Sequence, residues 1–163
     1  MRRKIMNRRG FTLVETLMVI FILALVTSAG AVGVSAVLAT RVEMIQTADA
    51  EILGSTAFQA IANELRFGQN ITVGDEGVAV SSVSLDSLTY GLNTKISQKN
   101  GRLTYGDSEN NQMLGEKAYS GLDISGLTFV QKADGSITIS LAVSGSKGKQ
   151  LWSGEVTVVP LNG

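Results

Sequence analysis

The feature that most constrains the fold is a run of 25 residues, from position 16 to position 40, without a charged side chain. As an α-helix this run would be roughly 37 Å long, at about 1.5 Å per residue, and would cross a hydrocarbon core of about 30 Å. Five basic residues and no acidic residue precede it: Arg2, Arg3, Lys4, Arg8 and Arg9. By the positive-inside rule, we expect the amino terminus to stay in the cytoplasm and the rest of the chain to be exported.

A single acidic residue, Glu15, lies at the start of this run, five positions after Gly10. A charge in hydrocarbon costs up to about 2.5–3.5 kcal/mol and usually marks a functional contact. One alternative is an ordinary secretory signal peptide cut near residues 27–31, but its apolar region would span only about 7–15 residues and carry no charge. Another alternative is a glutamate that reaches the membrane interface and has no partner.

The segment Gly10-Phe11-Thr12-Leu13-Val14-Glu15, behind a short basic leader, resembles the class III signal of type IV pilins and pseudopilins. The resemblance implies that a membrane-embedded prepilin peptidase cuts after Gly10 and methylates the new amino terminus at Phe11. It also implies that Glu15 acts in assembly. Two positions depart from the family pattern: Thr16 replaces a commoner apolar residue, and the usual mid-helix proline is missing near Val32.

The resemblance further implies a structural subunit, a minor pilin or pseudopilin, of a type IV pilus, a competence filament or a type II secretion filament. Its partners would be other pilin or pseudopilin subunits, the prepilin peptidase, the membrane-platform assembly proteins and membrane lipid. It would cross the bacterial cytoplasmic (inner) membrane once with its head outside, and would then join a periplasmic or cell-surface filament. The alternative function is a membrane-anchored or secreted binding or adhesion domain behind an ordinary signal-anchor.

The position of Glu15 also has a physical logic. Cleavage after Gly10 would leave an amine on Phe11, one helical turn before Glu15 and on the same face. Within one subunit the two charges could neutralise each other. The resemblance implies instead that Glu15 meets the Phe11 amine of a neighbouring subunit, where no water competes for the pair.

Composition excludes several kinds of site. The chain has no cysteine and no histidine, which rules out disulfides, Ser-His-Asp and Cys-His mechanisms, and zinc sites built on those residues. Without the five basic leader residues, 9 of the 14 basic side chains remain against 14 acidic ones, so we expect no direct nucleic-acid binding. We expect neither an enzyme nor a cofactor.

Asp107 and Glu109 are weak candidates for calcium ligands, but their loop lacks the spacing of a defined calcium site and a solvated turn is favoured.

The expected fold class is α+β, a long amino-terminal helix packed on a carboxyl-terminal antiparallel sheet. Its segments are a leader (1–10), a transmembrane and assembly half of the helix (11–40), an amphipathic half (41–68) and a sheet head (69–163). Gly68 and Asn70 should stop the helix. The stripe predicted to face the sheet consists of Ile45, Ala48, Ile52, Phe58, Ile61, Ala62 and Leu65.

The carboxyl-terminal part predicts antiparallel strands. Asn100-Gly101 and Asp134-Gly135 are typical of two-residue hairpin turns. Alternating apolar residues flank the second turn and continue past a later glycine-rich turn; they are Leu127, Phe129, Ile137, Ile139, Leu141, Val143, Trp152, Val156 and Val158. This pattern predicts a three-stranded meander with one apolar face against the helix, ended by Pro160.

Overall fold

The computed structural model describes residues 12–145 and 148–161. Its elements are α1 (Leu13–Phe67), β1 (Gln69–Thr72), β2 (Ser82–Ser87), β3 (Gly91–Lys99), β4 (Arg102–Tyr105), a short 3₁₀ helix (Glu116–Ala118), β5 (Leu122–Gln131), β6 (Ile137–Gly145) and β7 (Gln150–Val158). The strands form two antiparallel sheets, in the orders β1-β2-β3-β4 and β5-β6-β7. The α+β class, with one long helix before antiparallel strands, is confirmed, and the strands divide into two sheets.

The chain divides into two compact units, Met1–Glu43 and Met44–Gly163. In the first unit the described residues are helical from Leu13 onward, and their large apolar side chains are exposed. The second unit holds the rest of α1 and all the strands, and it contains the hydrophobic core. Among the residues that the structure describes, a buried core is therefore found only in the second unit.

The buried face of α1 differs from the predicted stripe. The helix buries residues spaced three and four apart, Ala50, Leu53, Gly54, Ala57, Ile61 and Leu65. The prediction was right for Ile61 and Leu65, but it was wrong for Ile45, Ala48 and Ile52, which are exposed. The reason is that small residues form half of the true face, so a search for large apolar side chains selects the wrong side.

Trp152 on β7 explains why a small residue is needed on that face. A β-carbon placed on Gly54 would lie 2.2 Å from Cζ3 and 2.4 Å from Cε3 of Trp152. The ring of Phe58 packs edge-on against the same indole, with centroids 5.6 Å apart. The helix and the three-stranded sheet therefore meet at a point where Gly54 leaves room for an aromatic ring.

The predicted meander is confirmed. Strand β6 pairs with β5 on one side and with β7 on the other, and the side chains of Ile137, Ile139 and Leu141 are buried. Strand β7 ends at Val158, two residues before Pro160. The side chains of Ile137, Ile139 and Leu141 belong to the hydrophobic core.

Of the two predicted hairpin turns, one is confirmed and one is wrong in length. Lys99 pairs with Arg102 across Asn100-Gly101, whose φ angles of 49° and 74° fit a two-residue turn. The Asp134-Gly135 turn is instead a three-residue loop, because the N–H of Lys132 donates to the carbonyl of Ser136 (2.8 Å). Asp134 Oδ1 accepts hydrogen bonds from the N–H and hydroxyl of Ser136, which stabilises the longer loop.

One polar cluster joins β4 to β5. The Arg102 guanidinium donates to Asp123 Oδ1 (2.8 Å) and lies 4.2 Å from the centre of the Tyr119 ring. The Tyr119 hydroxyl accepts a hydrogen bond from the N–H of Leu103 (2.9 Å). Burial raises the pKa of Tyr119, although the Leu103 N–H and the Arg102 charge act in the opposite direction. The cluster holds the edges of the two sheets together.

Candidate functional site

The candidate site is the start of α1, where Thr12 caps the helix. The Thr12 hydroxyl oxygen accepts a hydrogen bond from the N–H of Glu15 (3.3 Å), and the Thr12 carbonyl accepts one from the N–H of Thr16 (3.2 Å). Thr12 and Glu15 occupy the first and last positions of the Ser/Thr-x-x-Glu/Gln pattern that marks helix starts. The sequence therefore carries a local signal for a helix that begins at Leu13.

The Glu15 side chain lies exposed in the first turn of α1. Its carboxylate makes no hydrogen bond or ion pair with any residue that the structure describes. A negative charge at this end of a helix is favoured by the macrodipole by about 0.3–1 kcal/mol. Gly10 and Phe11 lie outside the described residues, so cleavage and methylation there remain predictions, as does the assembly role of Glu15.

The hydroxyl groups in the uncharged run are all bonded within the helix. Each donates to a backbone carbonyl three or four residues earlier, at 2.8–3.0 Å, in Thr16, Thr27, Ser28, Ser35 and Thr40. A polar group left unpaired in an apolar environment costs several kcal/mol. The run can therefore enter lipid, or pack against another apolar helix, without leaving a hydroxyl donor unpaired.

Within the described residues, α1 is the one helix long and apolar enough to cross a membrane by length and composition. The apolar window that meets this criterion has no buried part in the structure. Leu17 and Phe21, for example, are 59% and 66% exposed. These properties fit a membrane-anchored protein.

A small-residue zone lies in the same half of the helix. A β-carbon placed on Gly30 or Gly33 would meet no atom within 4 Å. Together with the neighbouring apolar side chains, these glycines line an open groove of about 390 Å³; the lining residues are Gly30, Gly33, Val34, Val37 and Leu38. Such a surface allows another helix to approach closely.

The loop that contains Asp107 and Glu109 is held by hydrogen bonds from two residues at the end of β3 and in the following turn. Glu109 Oε2 accepts a hydrogen bond from the Asn100 side chain (2.9 Å), and the Asp107 carbonyl accepts one from Lys99 (2.6 Å). Among the residues that the structure describes, no three carboxylate-bearing residues come together in a metal-binding group. Asp107 and Glu109 stay weak candidates for calcium ligands, and a solvated turn stays the favoured prediction for this loop.

Comparison with known families identifies the amino-terminal segment. Residues 5–31 match the family model described as the prokaryotic N-terminal methylation motif. Comparison with curated proteins and with solved structures gives no match. The matched segment includes Gly10, Phe11 and Glu15, and it extends into the exposed apolar part of α1. Residues 5–31 therefore carry the class III signal of a type IV pilin-like, prepilin-processed protein, and this motif points to a structural protein.

Proposed function

We propose that the chain is a minor pilin or pseudopilin, a structural subunit of a type IV pilus, competence or type II secretion filament. Prepilin peptidase would cut after Gly10 and methylate Phe11, and membrane-platform proteins would then move the subunit into the filament. The observation that carries this proposal is the methylation motif, which leads directly into a helix whose apolar half has no partner within the described chain. The proposed role requires no catalytic residue and no cofactor.

The exposed apolar half of α1 supports this role. A continuous apolar surface of this size is not stable in water and normally meets lipid or another protein. Before assembly, the inner membrane would cover it, with the head outside. After assembly, the equivalent helices of neighbouring subunits would replace the lipid. This exchange would leave no hydroxyl donor of the run unpaired, since these hydroxyls are already bonded to their own helix.

Glu15 would select the position of the incoming subunit. Its carboxylate is exposed at the helix start and is bonded to no described residue. In lipid it would attract the Phe11 amine of a neighbouring subunit strongly, because no water competes. Removing one partner from a desolvated charge pair typically costs about 3–5 kcal/mol.

The test replaces Glu15 by alanine and by glutamine in the full chain. The Thr12 cap uses the N–H of Glu15 and not its side chain, so both variants keep the cap, and Glu15→Gln keeps the size of the side chain while it removes the charge. We expect both variants to be cut and to enter the membrane normally, yet to be nearly absent from filaments sheared off the cells. Glu51→Gln is the matched control, since Glu51 is an exposed acidic residue of α1 outside the motif.

The two substitutions also separate the possible roles of Glu15. If Glu15→Gln assembles like the native chain while Glu15→Ala does not, the size or polarity of the side chain is what assembly requires and the charge is not needed. If both variants assemble at the native level, Glu15 is not the docking residue. Either result would contradict the proposed mechanism of assembly.

A further inference from the structure

The fold covers one edge of each sheet with a loop segment. At the edge formed by β5, Val80 and Phe129 exchange both of their backbone hydrogen bonds, at 2.9 and 2.8 Å. At the edge formed by β4, the N–H of Tyr105 donates to the carbonyl of Asn111 (2.9 Å). An uncovered edge attracts further strands, and proteins commonly cover their edges in this way. The two remaining edges are formed by β1 and β7.

Of these two edges, the one formed by β7 is long and regular. Strand β1 has four residues, its pairing with β2 shifts in register, and Asn70 within it has a φ of 51°. Strand β7 has nine residues, Gln150–Val158, and contains neither proline nor lysine. Short length, irregular backbone, proline and lysine are the features that keep an edge from pairing. Strand β1 has two of these features, and β7 has none of them.

The strand pairing determines which backbone groups of β7 face outward. Because Phe129 directs its N–H and C=O to Val80, the opposite residue Ile139 directs its own groups to β7, where it pairs with Val156. Alternate residues of β7 therefore direct their N–H and C=O groups away from β6; they are Ser153, Glu155 and Thr157. No hydrogen bond joins these outward groups to another residue that the structure describes. We name Ser153, Glu155 and Thr157 the open edge.

The side chains along the open edge define the chemistry of a partner strand. Glu155 is exposed in the middle of β7, and its carboxylate has no hydrogen bond or ion pair with a described residue. On the same face, Lys132 donates to the Thr157 hydroxyl (3.5 Å), so a positive charge already lies beside that position. On the other face, Trp152 and Val156 are half-buried. A partner strand therefore fits with a basic residue opposite Glu155 and apolar residues on the face of Trp152 and Val156.

A second copy of this chain is a poor source of such a strand. Its β1 and β7 contain no basic residue, and the free side of its β4 is covered by Asn111. Direction is a second obstacle, because α1 and β7 run the same way: Gly54 lies against Trp152, and the Arg66 carbonyl accepts a hydrogen bond from the N–H of Leu161. An antiparallel pair of β7 strands would reverse α1 between the two copies, whereas the subunits of a filament follow one another head to tail.

We propose that the open edge binds an extended segment of another protein, which adds a fourth, antiparallel strand beside β7 and places a basic residue opposite Glu155. Main-chain hydrogen bonds to the open edge would supply affinity, and the side chains on the two faces would supply specificity. This inference goes beyond the proposed function, because it assigns to the head a partner of different sequence and requires neither cleavage nor assembly.

Binding of a synthetic peptide to the full chain in detergent micelles tests the open edge. The lysine probe is a fluorescently labelled Val-Thr-Val-Lys-Val-Thr-Val peptide, whose valines lie on one face and whose lysine lies at the centre of the other. We expect saturable binding, measured by fluorescence anisotropy. A glutamate probe, with glutamate in place of the central lysine, should bind about five-fold more weakly, because a like charge then lies opposite Glu155.

Methylation of single backbone nitrogens in the lysine probe tests whether the main chain makes the contact. The residue opposite Glu155 would exchange both of its backbone hydrogen bonds with Glu155. N-methylation at the lysine should therefore weaken binding roughly ten-fold. N-methylation at a neighbouring valine is the matched control, because the N–H of that valine would point away from β7, and it should leave the affinity nearly unchanged.

Two substitutions in the chain test the position of the contact. Glu155→Lys should reverse the preference, so that the glutamate probe binds more tightly than the lysine probe. Ser153→Pro removes one outward N–H and leaves the hydrogen bonds between β6 and β7 in place, and it should weaken the binding of both probes. Glu116→Lys is the matched control for charge, because Glu116 is exposed outside the strands, and it should bind like the native chain.

Several results would overturn this inference. They are the absence of saturable binding, equal affinity for the lysine and glutamate probes, and equal effects of the two N-methylations. A disulfide-linked dimer of Ser153→Cys chains, with none from Glu116→Cys chains, would show that a second copy occupies the open edge and would also overturn it. None of these results bears on cleavage at Gly10 or on assembly, so the proposed function would stand or fall separately.

Discussion

Replacing Gly54 by alanine should destabilise the head, although alanine is the better helix former. In an unconstrained helix the change would add about 1 kcal/mol of stability. Here the new methyl group would lie 2.2–2.7 Å from three carbons of the Trp152 ring, so the indole or the helix must move. Overpacking of this kind costs about 1–3 kcal/mol. The net loss in the free energy of unfolding should therefore be about 0–2 kcal/mol.

The assay is urea unfolding of residues 44–163, the second compact unit, followed by far-ultraviolet circular dichroism. Ser55→Ala is the control, because Ser55 is the next residue of α1 and its side chain is exposed. This substitution should leave the free energy of unfolding unchanged or raise it slightly. In a Trp152→Leu background, Gly54→Ala should stabilise the head, because the obstructing ring is gone. An equal effect of Gly54→Ala in both backgrounds would refute the account of this contact.

Three further predictions concern processing and the polar cluster between the sheets. Gly10→Leu should leave the leader attached, read as a larger intact mass; a normally shortened protein would contradict cleavage at this site. Tyr119→Phe should lower the free energy of unfolding by about 1–3 kcal/mol, because the buried Leu103 N–H loses its acceptor; an unchanged urea midpoint would contradict this. Burial raises the pKa of Tyr119, so its contribution is complete below the unfolded value of about 10 and is lost as pH rises through the higher folded value. Between the unfolded and the folded pKa of Tyr119, the native protein should therefore lose stability more steeply with rising pH than Tyr119→Phe, and parallel stability curves would contradict the assignment.

Features set by local chemistry could be predicted from the sequence. The helix ends at Phe67, just before Gly68, and Asn70 has a φ of 51°. The Asn100-Gly101 turn follows from the ease with which both residues adopt positive φ. The uncharged run and the motif around Gly10 and Glu15 need no tertiary information, because composition and spacing carry them.

Features set by long-range packing could not. The buried face of α1 depends on Gly54 fitting Trp152, almost a hundred positions later in the chain, and no helical period in the sequence reveals that contact. The contact between the two sheets includes the ion pair of Arg102 with Asp123, 21 positions apart in the chain, and no strand pattern in the sequence reveals it. The loop after Lys132 is a local feature, but its length was also not predictable, because the Asp134-Gly135 dipeptide occurs in more than one turn type and the bonds from Ser136 to the Asp134 carboxylate stabilise the longer one.

The intact mass of the chain recovered from sheared filaments decides whether it is a processed filament subunit. We expect a single species that begins at Phe11 and carries one added methyl group. Omission of the prepilin peptidase should leave the chain uncut from Met1 and remove it from the sheared fraction. A chain that starts near Ala31, or one that keeps its leader inside filaments, would contradict the claim.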